Sequence, residues 1–169
     1  MPQNAFYALF IEELQDLYSA ENQIIQAMPA MISAVSTPEL KEALEKHFKE
    51  TKNQVSRLDQ IFSIFKENPQ GKKCKAMEGL IEEAQGVLKS NFPAIVRDAA
   101  IIGAAQRIEH YEIAGYGVAK AFAKILEYDK AVDLLQASQD EEGHADKTLT
   151  SIAEGGFFTA GVNQKAMKS

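Results

Sequence analysis

Apolar residues recur at three- and four-residue steps along nearly the whole chain, and no segment alternates apolar with polar for long. That period lets a helix bury one face and wet the other. The first helical stretch runs from about Asn4 to Ala34, with Phe10, Leu14, Leu17, Ile24, Met28 and Met31 along one line. Pro29 lies inside it and predicts a bend, because proline removes one backbone hydrogen bond and crowds the carbonyl of Ile25. Ser36, Thr37, Pro38 and Glu39 read as a helix start, with a hydroxyl cap, a proline in the first turn and an early glutamate. The second stretch continues to about Lys66, and Asn68-Pro69-Gln70-Gly71 stops it. A shorter helix is expected over about Ala76 to Ser90, and a third long one over about Ala94 to Glu127. Asp129 can cap a fourth that ends near Gly155 and Gly156. No period is visible from Phe157 to Ser169, so the chain reads as one helical domain over residues 1–156 and an irregular tail over 157–169.

Tight turns near Val35–Thr37 and Tyr128–Asp129 join the first pair and the last pair of long helices as antiparallel hairpins. Between the pairs lies a connection long enough to recross much of the bundle, since a helix rises about 1.5 Å per residue. The second and third long helices can therefore run parallel. The expected fold is all-α, a ferritin-like four-helix bundle with a long crossover containing a short helix.

Composition changes this picture little. The chain has 169 residues and a net charge of −6, which argues against a nucleic-acid partner. Its longest apolar run, Ala99 to Ala105, falls far short of the ~18 residues needed to span a bilayer. The N-terminal residues lack the pattern of a secretory signal, and the one cysteine, Cys74, fits a reducing compartment. A cytoplasmic protein that does not enter membranes is expected.

The carboxylates say more. Along the inward line of each long helix a charged residue stands where the period calls for an apolar one: Glu21 on the first, His47 with Glu50 on the second, Glu109 and Glu112 on the third, Glu142 on the fourth. Glu21 and Glu50 are equally distant from the first turn, and Glu112 and Glu142 from the second, which puts all of them near mid-bundle. Glutamates are almost never fully buried unless paired, and a dry layer of them would take up protons. Two divalent cations remove the conflict, and a carboxylate and imidazole donor set suits iron, with manganese or zinc as alternatives. His47–Glu50 and Glu109–Glu112 have the i, i+3 spacing that lets one helix supply two ligands.

Di-iron bundles carry Glu-x-x-His on two helices. Here the second helix reverses the order, and on the fourth Glu142 is followed three residues later by Ala145. A literal Glu-x-x-His, Glu141 and His144, falls on the polar side and is read as a decoy. His110 sits on a small-residue face suited to a helix or subunit contact, while Tyr18, Tyr116 and Asp146 are candidates to support the ligands.

The segments Leu17-Tyr18-Ser19-Ala20-Glu21, His47-Phe48-Lys49-Glu50-Thr51, Met77-Glu78-Gly79-Leu80-Ile81-Glu82-Glu83 and Gln106-Arg107-Ile108-Glu109-His110-Tyr111-Glu112-Ile113 resemble the YciF-like proteins, a ferritin-like family of unknown function. The resemblance covers about residues 4 to 155. It implies a four-helix bundle with a dinuclear metal centre, homodimers, and a bacterial, stress-associated setting, but no substrate.

Three functions fit these residues. Carboxylate-bridged metals can act on a small oxidant such as O₂ or peroxide, which would make the chain a di-metal oxidoreductase. The same site can bind metal without turnover. A purely structural helical dimer is the third reading. A storage cage is disfavoured because the tail does not read as an extra short C-terminal helix, and a self-contained peroxidase because one cysteine cannot build a Cys₄ iron site.

Overall fold

The computed structural model describes residues 5–156 and 159–169. Five substantial helices account for most of them: α1 (Ala5–Ala34), α2 (Pro38–Phe65), α3 (Lys75–Leu88), α4 (Ala94–Ile125) and α5 (Asp129–Glu154). Asn4, expected to open the first helix, lies outside the described residues. None of the helices, among the described residues, is long and apolar enough to cross a membrane.

Two apolar clusters fix the directions of the four long helices. One joins Phe10 and Leu14 near the start of α1 to Leu58 and Phe62 near the end of α2, Ala119 and Ala123 near the end of α4, and Leu135 near the start of α5. The other joins Met31, Leu40, Leu44, Ile101, Ile102, Leu149 and Ala153, at the opposite ends of the same helices. Helix α2 therefore runs parallel to α4 and antiparallel to α1 and α5, the ferritin-like arrangement. A third cluster, with Met77 and Cys74 set among Ile24, Met28 and Ile108, fastens the crossover helix α3 across α1 and α4.

The helix ends are built differently from the sequence expectation in two places. Thr37 is the N-cap of α2, yet its hydroxyl makes no capping bond. It donates instead to Asp98 of α4 at 2.6 Å, and the Thr37 amide, the Ser36 amide and the Ser36 hydroxyl donate to the same carboxylate. Burial alone would raise the Asp98 pKa, but these donors outweigh it and hold the carboxyl below its ordinary value. The α1–α2 turn is thus pinned to the third long helix. At α5, Tyr128 occupies the cap and Asp129 is the first helical residue, where its charge still favours the helix N-terminus.

The described part of the tail forms a short strand and a helical turn where an irregular segment was expected. Gly155–Gly156 pairs antiparallel with Thr159–Ala160, and α6 (Val162–Ala166) follows, its Val162 buried in the cluster with Met31 and Leu149. Chain reversal explains this: Gly155 has φ 78°, a conformation that favours glycine, and a Cβ there would strike the Thr159 carbonyl. The expected absence of a short C-terminal helix is corrected accordingly, so that segment no longer argues against a storage assembly. Phe157 and Phe158 lie outside the described residues.

Candidate metal centre

Between the two end clusters the bundle interior turns polar. Glu21 of α1, His47, Thr51 and Gln54 of α2, Glu109 and Glu112 of α4, and Ser138 and Glu142 of α5 are all buried. Geometry along α2 selects its members. At about 100° per residue, Gln54 lies about 20° around the helix from His47, whereas Glu50 lies about 60° away. Gln54 consequently points inward and Glu50 stands at the rim, its side chain 20% exposed.

Ligand atoms of His47, Glu109, Glu112 and Glu142 all lie within 4.8 Å of one another. His47 Nε2 is 3.3 Å from Glu109 Oε2 and 3.6 Å from Glu142 Oε2, and its Nδ1 faces Glu50 Oε2 at 3.8 Å. Glu21 adjoins this group: the Tyr116 hydroxyl donates to one of its oxygens, and its neighbours include Glu112 and Glu142. A close approach of α1 and α4 makes this possible. Gly115 has no side chain where a Cβ would lie 2.8 Å from Leu17 Cδ2, one turn from both Glu112 and Glu21.

Much of the hydrogen-bonding capacity here is unused. Glu21 Oε2, both ring nitrogens of His47, Gln54 Oε1, Glu109 Oε2, both oxygens of Glu112 and Glu142 Oε2 are buried without a hydrogen-bond partner. Buried polar atoms are nearly always paired, and leaving one unpaired costs about 1–3 kcal/mol. Burial first, and neighbouring carboxylates second, push Glu112 well above the ordinary carboxylate range; burial is also the leading cause of the rise at Glu21 and Glu109. Tyr116 is likewise raised, by burial and by Glu21. The donor set fits transition-metal ions: carboxylates plus one imidazole, buried, convergent and with one or more carboxylate oxygens of each glutamate unpaired.

The remaining candidates fall outside this group. Glu141 is tied to Arg57 and also accepts from Gln54 at 3.1 Å. His144 is exposed. His110 is 69% exposed and 3.4 Å from Asp146, which also accepts from Gln106 at 3.0 Å on the α4–α5 flank. Tyr18 packs edge-on against Phe62 rather than on the carboxylates.

Gln54 holds Glu142 through its amide, donating to the oxygen opposite the free one. The signal that could have revealed it is a polar residue on the buried line, seven residues after His47.

The chain is similar to known proteins over most of its length. The family described as Domain of unknown function (DUF892) matches residues 6–167. Protein YciF of Escherichia coli strain K12 is 45% identical over 147 residues, covering 86% of this chain and 88% of its own. The crystal structure of the E. coli stress protein YciF superposes with a TM-score of 0.84 at 42% identity, over 88% of this chain and 94% of that one. YcfI of Rhodopseudomonas palustris, suggested to be a structural protein, gives 0.86 at 38% identity, over 90% of this chain and 97% of that one. The chain belongs to the DUF892 family of YciF-like helical-bundle proteins.

Proposed function

We propose that this chain is a dinuclear metal-binding protein, with Glu21, His47, Glu109, Glu112 and Glu142 as the ligands and Glu50 at the open edge. One observation carries the reading: unpartnered lone pairs from these buried ligands converge at a single level of the bundle. A pair of divalent ions would supply about four positive charges, enough to keep the carboxylates ionised without protons. Iron is favoured, and manganese or zinc would satisfy the same donors. Iron or manganese so bound supplies redox chemistry toward O₂ or peroxide.

The chain's own groups have definable work around that site. Tyr116 holds Glu21, and Gln54 holds Glu142, each by a hydrogen bond that leaves the other oxygen free. The apolar clusters above and below close the layer along the bundle axis. A stress-associated role follows the description of the E. coli relative as a stress protein, and a cytoplasmic setting agrees with the presence of one cysteine, which is buried and forms no disulfide.

A second reading, metal as a structural fastener without turnover, is favoured by the suggestion made for the R. palustris relative. The deciding experiment measures metal in untagged protein after iron-replete and manganese-replete growth, by inductively coupled plasma mass spectrometry. Near two transition metals per chain are expected, with loss in His47→Ala/Glu112→Ala at unchanged helicity. No metal under either condition, and none on reconstitution, refutes the centre; metal without peroxide or O₂ consumption selects the second reading.

A further inference from the structure

A cleft of about 710 Å³ opens between α2 and α5 and reaches down to the buried ligands. His47 and Glu109 form its floor. They are 3% and 1% exposed, and His47 Nε2 and Glu109 Oε2 have no hydrogen-bond partner. Leu44, Ala145 and Leu149 line its apolar part. The opening has a sequence cause, because Ala145 stands three residues after Glu142, where a Glu-x-x-His bundle would insert an imidazole.

The mouth is acidic. Glu39, Glu42, Glu45 and Glu50 border it with only Lys46 and Lys49 against them, and Lys46 is engaged with Glu50 at 3.2 Å. A cleft with apolar walls and one dominant sign of charge focuses the field and raises the local concentration of counter-ions. Glu50 stands between mouth and floor: one oxygen faces Lys46 at the surface, the other faces His47 Nδ1. His47 in turn directs Nε2 at Glu109 and Glu142.

We infer that the α2–α5 cleft is the route by which divalent cations reach the buried ligands, with Glu42 and Glu45 drawing the ion in and Glu50 passing it to His47. The inference rests on the metal-binding reading above and adds a direction of approach. The other side of the layer is closed, since α3 lies across α1 and α4.

The test follows cobalt(II) uptake by the metal-free full-length chain in stopped-flow absorbance, with final stoichiometry measured separately. Thr148→Phe plugs the wall of the cleft from α5, and Glu42→Gln/Glu45→Gln removes charge from exposed positions at its mouth. Thr148→Phe is expected to slow uptake tenfold or more. The double variant is expected to slow it severalfold and flatten its dependence on ionic strength, while both reach the wild-type stoichiometry. Glu82→Gln/Glu83→Gln on exposed α3 should leave the rate unchanged.

Wild-type uptake rates in both cleft variants, at full stoichiometry, overturn the route and leave the centre standing. Where Thr148→Phe lowers the final stoichiometry by disturbing α5, the surface double variant decides alone. A wild-type chain that takes up no cobalt overturns the centre and the route with it.

Discussion

Arg57 of α2 grips Glu141 of α5 with paired hydrogen bonds, Nη1 to Oε2 at 2.7 Å and Nη2 to Oε1 at 2.6 Å. Glu141 and Glu142 are adjacent in sequence and about 100° apart on the helix, so one enters an ion pair and the other the buried layer. The pair fastens α2 to α5 beside Gln54, which bonds both glutamates. Glu141→Gln is expected to leave metal stoichiometry unchanged and to lower stability by roughly 1 kcal/mol, since the pair is partly exposed and screened. Urea unfolding together with metal analysis checks it. Loss of metal in this variant would show that Glu141, not Glu142, belongs to the ligand set.

The raised carboxyls make the stability of the metal-free chain depend on pH. Glu112 has a pKa well above its ordinary value, because burial penalises its charge. The folded state then keeps a proton that the unfolded chain releases. Stability from this group is present below the ordinary carboxylate range and is lost as pH rises toward the raised value. In chelator, the urea midpoint should fall between pH 5 and pH 8, and Glu112→Gln should flatten that fall. A flat wild-type profile, or an unchanged slope in the variant, would contradict the assignment. Added metal should act oppositely, stabilising more at the higher pH, since it displaces those protons.

Asp98 behaves in the reverse sense. Its carboxylate takes hydrogen bonds from the backbone and side chains of Ser36 and Thr37 and sits below its ordinary pKa. Its stabilisation is complete above the ordinary aspartate value and is lost as pH falls through the lowered one. Asp98→Ala leaves those donors without an acceptor and should cost about 3 kcal/mol at neutral pH. A loss under about 0.5 kcal/mol in denaturant titration, the usual size of a surface effect, would show that the turn does not depend on this clamp.

Gly143 follows Glu142 in mid-helix, and a Cβ built there meets nothing within 4 Å. Alanine therefore gains helix propensity without a clash. Gly143→Ala should stabilise the chain by about 1 kcal/mol, raising Tm by roughly 2–4 °C for a domain of this size. A drop in Tm would mean that the helix needs the glycine for a movement or a partner.

Local patterns in the sequence specify the helices, their order and most of the buried carboxylates. Each depends on a local period: an apolar line at three- and four-residue steps makes a helix, and a glutamate on that line, as at Glu21, Glu109, Glu112 and Glu142, must go inside with it. Counting residues from the turn put Glu50 at the same depth as Glu21, but depth does not fix direction. Tertiary packing decided the rotation of α2, turning His47 and Gln54 inward and Glu50 to the rim. It also decided what no local pattern encodes: Asp98 reaching the α1–α2 turn, Arg57 claiming Glu141, Gly115 admitting Leu17, and the tail folding back to bury Val162. Those contacts join residues far apart in the chain, and their energy exists only once the helices are already side by side.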